Sequence, residues 1–229
     1  MGHDHAFNRA AFLAGSLAAG IGLAGRADAS PSGAEVDPDQ ALALLKDGNR
    51  RFVANQFPTS NKIAEKRELL QESQAPIAAI LSCADSRVIP ELIFIQGLGQ
   101  LFVTRVAGNY PDDLVTGSLE YAVEHLGARL VMVLGHQNCG AVKAVYDAIE
   151  DKKPLGPHLA AIQSAIGPGI GRVVREDGSM MAAVEANVRA AVATLRAAPP
   201  VLAEAVSSKR IRVVGAVYLL GTGKVRLLD

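Results

Sequence analysis

Tryptophan is absent from this 229-residue chain, and aromatic residues make up only 4% of it. The 23 lysines and arginines are balanced by 23 aspartates and glutamates, so the chain has no excess of either charge. Nucleic-acid-binding domains usually present a basic surface, and single-strand binders add aromatic side chains on which bases stack. The chain has neither property, and we expect no nucleic acid partner.

Cysteine is also scarce, since the chain holds only Cys83 and Cys139. Two cysteines in an exported protein could form a single disulfide. That pairing would leave the polar residues beside them, among them Asp85 and His136, without a role. We therefore favour metal ligation, with the disulfide as the alternative.

An uncharged, mostly apolar segment, Ala10–Gly25, follows Arg9 and precedes the small-x-small sequence Ala27-Asp28-Ala29. These features predict a cleavable export signal over residues 1–29. The segment is shorter than the roughly 20 apolar residues of a membrane-spanning helix. An uncleaved anchor and an alanine-rich tail are the alternatives.

The predicted mature chain, residues 30–229, reads as a single catalytic domain exported to the bacterial periplasm, with no membrane contact once the signal is cleaved. The sequence Asn8–Leu13 resembles a twin-arginine signal that lacks one arginine. The export route, general secretory or twin-arginine, is therefore left open.

Short apolar runs alternate with helical patterns along the mature chain. This order predicts an α/β fold with a mainly parallel sheet flanked by helices and a C-terminal hairpin strand. The predicted strands are Ile77–Cys83, Leu101–Val106, Leu130–Leu134, Ile211–Leu219 and Val225–Leu228.

Helix signals are uneven in strength. Asp37 and Pro38 predict the capped start of a first helix. Gly48, which lies within this helix, weakens the helix signal locally. A second helix is predicted over Ile63–Gln74. Two later helices, Leu159–Ile166 and Met180–Ala198, are predicted on either side of a glycine-rich turn over Gly167–Gly171.

Both cysteines fall where a parallel sheet binds its ligands, at the carboxyl ends of strands. Cys83 ends one apolar run, and His136 and Cys139 follow another. Two thiolates and one imidazole suit a catalytic zinc site, which typically leaves a fourth position for water. We predict one Zn²⁺ there, although the short His-x-x-Cys motif alone also fits a structural zinc or a buried core cysteine. Gly140 has no side chain, so its backbone could approach a bound anion.

Asp85 and Arg87 follow Cys83 closely and can pair through an extended turn. A carboxylate held ionised by a guanidinium could accept a hydrogen bond from a zinc-bound hydroxide and orient it. The alternative is an ion pair on the surface, which contributes little. Because the pair lies beside a cysteine at a buried strand end, we predict a catalytic role for it.

At this point the sequence resembles the β-class carbonic anhydrases. Cys83-Ala84-Asp85-Ser86-Arg87, with Val88, Pro90 and Glu91 after it and His136-x-x-Cys139-Gly140 downstream, reads like that family. Further similar segments are ALALLKDGNRRF (41–52), LFVTRVAGN (101–109), SLEYAVEHLG (118–127) and GAVYLLGTGKV (215–225). The leader and the region from about Pro154 to Asp177 are less typical.

The resemblance implies a zinc lyase that interconverts carbon dioxide and bicarbonate, with Cys83, His136 and Cys139 as ligands. It implies that Asp85 orients the hydroxide or, in a closed state, becomes a fourth ligand when its pair with Arg87 breaks. It also implies a homodimer or homotetramer. A glutamine near Gln96 binds substrate in part of the family, but the loop after it differs in length here, and a structural cap or a surface amide is the alternative.

Two other functions are open to the same residues. One is a related zinc hydrolase of carbonyl sulfide or carbon disulfide, because the same nucleophile could attack either carbon. The other is a non-catalytic zinc-binding protein closed by Asp85. The presence of both Asp85 and Arg87 favours a catalyst over the second of these.

Overall fold

A five-stranded sheet runs through the computed structural model, which describes residues 36–58, 63–176 and 178–228. The spatial order of its strands is β2-β1-β3-β4-β5. The first four are parallel, and β5 pairs antiparallel with β4 as a hairpin. In chain order they are β1 (Ala78–Cys83), β2 (Leu101–Val106), β3 (Leu130–His136), β4 (Arg212–Leu219) and β5 (Lys224–Leu228). The predicted mainly parallel sheet and its C-terminal hairpin are confirmed.

Helices flank both faces of this sheet. In the described residues they are α1 (Pro38–Val53), α2 (Ile63–Leu69), α3 (Pro90–Ile93), α4 (Asp113–Glu124), α5 (Gly140–Glu150), α6 (Leu159–Arg175), α7 (Met180–Ala197) and α8 (Val201–Ser207). None of these helices combines the length and the apolar character that a membrane span requires. The predicted export signal, residues 1–29, lies outside the described residues.

Alternating side chains of the sheet supply two hydrophobic layers. Ala79 and Leu81 of β1 face the layer formed with α4 to α8. Ala78 and Ile80 face the opposite layer, formed with α1 and α3. Every residue of β1 and β3 is buried, which explains why both strands read as continuous apolar runs.

Strand register sets the position of the site. Ser82 of β1 pairs with Leu134 of β3, so Cys83 and His136 both lie at the same carboxyl edge of the sheet. The next strand along, β4, places Tyr218 beside His136. The two strand ends that carry the predicted ligands are therefore neighbours, as the topology requires.

The helix starts follow the sequence more closely than the helix ends. Asp37 caps α1 and forms a reciprocal capping box with Gln40, with Pro38 in the first turn. Helix α2 is shorter than predicted and ends at Leu69 instead of Gln74. None of its residues is buried, so no packing compensates for the weak stability of a short isolated helix.

The predicted turn over Gly167–Gly171 is wrong, because one continuous helix, α6, includes Pro168. Pro168 lies on the exposed face together with Ser164, whose carbonyl loses its helical donor and can bond to water instead. Gly169 faces α7, where an added Cβ would lie 2.8 Å from the Ala190 Cβ. Gly169 therefore permits close packing of α6 against α7, and the glycines of this segment do not form a turn.

Gly48 is also explained by a close approach. A Cβ added at Gly48 would lie 1.7 Å from the Phe94 carbonyl oxygen and 2.6 Å from its carbon. A glycine is therefore needed at this point of α1 because backbone passes directly over it.

We expect Gly48→Ala to destabilise the fold by at least about 2 kcal/mol, because α1 must move away from Phe94 to make room for the methyl group. Gly117→Ala in α4 is the matched control, since no atom of residues 36–58, 63–176 or 178–228 lies within 4 Å of a Cβ added there. That change should stabilise the fold by about 0.5–1 kcal/mol through helix propensity. Urea unfolding measures both variants, and equal stability of the two would contradict the packing explanation.

Candidate metal centre

Cys83, the last residue of β1, is held by contacts from β2 and the loop after it. The Gly108 N–H donates to the Cys83 Sγ at 3.4 Å. The Arg105 guanidinium donates from Nε to the Cys83 carbonyl at 3.1 Å and from Nη2 to the Asp85 carbonyl at 2.6 Å. The thiol and the backbone on both sides of Ala84 are thereby fixed at the end of the strand.

His136 ends β3 and is fully buried. Its Nδ1 lies 3.0 Å from the Gln137 carbonyl oxygen, which can only accept a hydrogen bond, so this nitrogen carries the proton. The Nε2 atom therefore presents a lone pair, and it has no hydrogen-bond partner within the described part of the chain. A buried imidazole nitrogen left in this form is arranged as a metal ligand.

Cys139 completes the group from the N-cap position of α5. Asn138 before it adopts a positive φ of 56°, which turns the chain sharply between the strand and the helix. The Cys139 Sγ lies 3.9 Å from the Cys83 Sγ, and both cysteines are free. A disulfide requires about 2.05 Å between the sulfurs, so the structure contradicts that alternative.

The three predicted ligands meet at one point. Their donor atoms, the two sulfurs and a nitrogen of His136, all lie within 4.8 Å of one another. Two sulfurs bound tetrahedrally to one zinc, at about 2.3 Å each, would be about 3.8 Å apart. The observed sulfur separation and the unpaired Nε2 therefore fit a zinc ion.

The ionisation of the two thiols also favours a cation. The hydrogen bond with the Cys139 thiol lowers the pKa of Cys83 to about 4, against the opposing effect of burial. The negative Cys83 sulfur and burial together raise the pKa of Cys139 above its usual range. A metal ion bound between the two sulfurs would stabilise both as thiolates.

Asp85 and Arg87 form the predicted pair beside this group. Asp85 Oδ1 accepts from the Arg87 backbone N–H and Nε, each at 2.9 Å, and Oδ2 accepts from Nη2 at 2.7 Å. These bonds hold the pKa of Asp85 well below its usual range. The pair is more than a surface contact, because the side chain of Asp85 is only 18% exposed and its Oδ2 lies 3.9 Å from the His136 Nε2.

In this arrangement Asp85 is paired with Arg87 and is not one of the three clustered ligands. The carboxylate nevertheless lies close enough to His136 for a change of rotamer to bring it nearer to the metal position. Its role as a fourth ligand in a closed state stays a prediction.

The two predicted substrate-binding residues, Gln96 and Gly140, lie in different surroundings. Gln96 is half-buried, and its Nε2 donates to the Phe94 carbonyl at 3.1 Å. Gly140 is exposed at the first turn of α5, and no atom that the structure describes lies within 4 Å of a Cβ added there. This hydrogen bond of Gln96 is compatible with the structural cap that was the alternative to substrate binding. The substrate-binding roles of Gln96 and Gly140 both remain predictions.

Sequence reasoning missed two residues that support the centre. Arg105 holds the backbone around Cys83 and Asp85, and Asn187 of α7 contacts the loop that donates to Cys83. A signal for Asn187 was present, because it is the one polar residue among the buried positions of α7. A similar signal was present for Arg105, which is the only charged residue of β2.

Comparison with known proteins agrees with this geometry. The sequence profile of the family described as "Carbonic anhydrase" matches residues 78–225. Carbonic anhydrase 2 of Mycobacterium tuberculosis is 39% identical over 195 residues, which cover 84% of this chain and 94% of the relative. The chain belongs to the β-carbonic anhydrase family. A carbonic anhydrase of Mycolicibacterium smegmatis is 38% identical over 83% of this chain and 93% of its own length.

Solved β-carbonic anhydrases share the fold. The Coccomyxa β-carbonic anhydrase in complex with acetazolamide has a TM-score of 0.66 and 30% identity, with 82% of this chain and 86% of that chain covered. The β-carbonic anhydrase CcaA has a TM-score of 0.65 at 24% identity over 83% of this chain and 88% of its own, which supports the fold alone. β-Carbonic anhydrases are zinc enzymes, and the Cys–His–Cys group of this chain can hold one such ion.

Proposed function

We propose that this protein catalyses the reversible hydration of carbon dioxide to bicarbonate and a proton. The observation that carries this proposal is the Asp85–Arg87 pair next to a group of three metal-binding side chains. A structural zinc site has four protein ligands, whereas a catalytic site keeps one position for water. Three clustered ligands with a charged carboxylate beside them match the catalytic kind.

Cys83, His136 and Cys139 would hold the zinc ion. Zinc bound there would act as a Lewis acid and lower the pKa of its bound water to about 7. Asp85 stays ionised because Arg87 donates to both of its oxygens. A hydrogen bond from the reacting water to this carboxylate would point an oxygen lone pair at the carbon of carbon dioxide.

Arg105 and the buried position of His136 contribute rigidity. The two bonds from Arg105 to carbonyl oxygens keep Cys83 and Asp85 at fixed positions relative to each other. His136 cannot rotate freely, because its Nδ1 is bonded to the Gln137 carbonyl within a fully buried strand end. A site preorganised in this way loses little free energy to reorganisation during the reaction.

A stopped-flow hydration assay on the zinc-loaded mature chain, from neutral to alkaline pH, tests the proposal. We expect zinc-dependent hydration with kcat/KM in the enzymatic range of about 10⁴–10⁸ M⁻¹s⁻¹. The metal-free protein is the control. Absence of zinc-dependent hydration at every pH would contradict the proposal, and turnover of carbonyl sulfide or carbon disulfide would then identify the related hydrolase.

We also propose that the protein forms a homodimer or homotetramer. Strand β2 is an edge of the sheet, and exposed apolar side chains such as Leu114, 84% exposed, and Tyr121, 49% exposed, lie on the adjacent α4. The ring of Tyr121 lies 6.2 Å from that of Phe102 on the edge strand. A solved structure of this fold, from Sordaria macrospora, is described as tetrameric. Light scattering should give two or four chains per particle, and a monomer would contradict the proposal.

For location, we propose export to the bacterial periplasm through residues 1–29. The support comes from the sequence alone, namely the charged start, the apolar segment and the small-x-small site. Mass spectrometry of the periplasmic protein should find Ser30 as its first residue. A chain that starts at Met1 in the soluble fraction would contradict this prediction.

A further inference from the structure

Asn187 is a buried polar side chain on the apolar face of α7. Its neighbours on that face include Ala183, Val184 and Val188, and Asn187 itself is 1% exposed. Burial of an amide costs free energy unless its polar atoms are bonded. The Nδ2 atom donates to the Gly108 carbonyl at 2.8 Å, while Oδ1 has no partner among the described residues. The bond to Gly108 is therefore the contact that can account for an asparagine here.

Gly108 connects this bond to the metal centre. Its N–H donates to the Cys83 sulfur, and its carbonyl accepts from Asn187. Gly108 adopts a φ of 80°, and an added Cβ would lie 2.4 Å from the Ile166 Cδ1. Only glycine fits this position, and glycine has the greatest backbone freedom. The direction of the N–H therefore depends on what anchors the residue.

We propose that Asn187 is a positioning residue for the metal centre, because its bond to the Gly108 carbonyl keeps the Gly108 N–H directed at the Cys83 sulfur. The inference rests on the proposed zinc site. A hydrogen bond to a thiolate ligand fixes the sulfur and withdraws charge from it. Loss of an outer-shell partner of this kind typically lowers metal affinity about 10–100-fold.

A direct test uses the wild-type protein with cadmium-113 in place of zinc. A hydrogen bond from an amide to a metal-bound sulfur transmits a scalar coupling between the amide proton and the metal. We expect this coupling at Gly108 and slow hydrogen exchange of the same amide. No coupling together with fast exchange at Gly108 would overturn the proposal, whatever the activity of the enzyme.

The variant Asn187→Leu tests the role of the amide. Leucine has the same branched arrangement of side-chain heavy atoms but cannot donate to Gly108. We expect faster exchange of the Gly108 amide, loss of the cadmium coupling and about 10–100-fold faster transfer of zinc to a chelator. In the cobalt-substituted protein, the sulfur-to-cobalt charge-transfer band should move to longer wavelength, because a sulfur without its hydrogen bond gives up charge more readily.

Leu195→Ala is the matched control, because Leu195 is fully buried on the same helix and contacts neither the loop nor the sulfur through a polar atom. It should lower thermal stability without moving the cobalt band or the Gly108 exchange. Equal changes of zinc release and cobalt band in both variants would show general destabilisation and overturn the proposal. If Asn187→Leu fails to fold, the cadmium coupling in the wild type still tests the proposal, because the absence of that coupling at Gly108 would overturn it. A wild type with the coupling but no hydration activity would contradict the proposed function alone.

Discussion

Replacement of Cys139 by alanine should abolish zinc binding and hydration activity together. The Cys139 sulfur lies 3.9 Å from that of Cys83 and belongs to the group whose donor atoms converge on one point. Its removal leaves one sulfur and one imidazole nitrogen, which is below the three protein ligands of a typical catalytic zinc site. Because loss of an outer-shell partner already costs about 10–100-fold in affinity, loss of a ligand should cost more than about 100-fold.

Zinc content and thermal stability measure this effect. Zinc at 100 times its dissociation constant stabilises a folded protein by about 2.7 kcal/mol. For a domain of this size that corresponds to a rise in Tm of roughly 5–10 °C. We expect this rise for the wild type and its absence for Cys139→Ala at the same zinc concentration.

Asp85→Asn serves as the control for Cys139→Ala, because it changes the same pocket without removing one of the three clustered ligands. It should retain stoichiometric zinc and the zinc-dependent rise in Tm. Stoichiometric zinc in Cys139→Ala would exclude Cys139 from the ligand set. Loss of zinc from both variants would instead show that Asp85 is itself a ligand.

The metal centre could be predicted because the sheet brings the strand ends near Cys83 and His136 to one edge. Cys83 ends one apolar run and His136 follows another, and parallel strands place their carboxyl ends together. The pair formed by Asp85 and Arg87 is local, only two residues apart, so its geometry depends little on the rest of the fold. These parts of the site needed no knowledge of distant packing.

Contacts between distant segments could not be predicted in this way. Asn187 and Gly108 are 79 residues apart, and Arg105 lies 20 residues from Asp85 along the chain. Which element packs over Gly108 depends on how α7 settles on the sheet, and local patterns do not contain that information. A polar residue on an apolar helix face indicates a buried partner but does not identify it.

The same limit explains the error at Gly167–Gly171. Gly169 reads as part of a turn, and Gly48 as a weak point within a helix, when only their neighbours in sequence are considered. In the structure, each is the place where another element comes too close for a side chain. A glycine that permits packing and a glycine that ends a helix have the same local signature, so only tertiary structure distinguishes them.

Asp85→Asn should leave zinc bound but lower kcat at least about 100-fold, within the range of about 10²–10⁴ for positioned acid–base groups. The carboxylate uses both oxygens to accept from Arg87. Asparagine has one oxygen, and its NH₂ group would face a second donor from the guanidinium. The side chain must then rotate, and it also loses the negative charge that would attract a hydrogen from the reacting water.

Hydration rates at saturating carbon dioxide, normalised to bound zinc, measure this loss. Arg87→Lys is the companion variant, because a lysine keeps the positive charge but cannot donate from two nitrogens to both carboxylate oxygens. If orientation of the carboxylate matters, Arg87→Lys should reduce kcat by less than Asp85→Asn but clearly below wild type.

The pattern across the two variants separates charge from orientation. A loss in Asp85→Asn with full activity in Arg87→Lys would mean that the charge of Asp85 suffices and the fork of Arg87 is dispensable. A wild-type kcat in Asp85→Asn would mean that the Asp85–Arg87 pair is only a structural contact. The observed distances favour orientation, because Arg87 contacts both oxygens of Asp85 while one of them lies 3.9 Å from the ligand nitrogen of His136. A carboxylate held at that point can accept a hydrogen bond from water at the metal position without becoming a ligand.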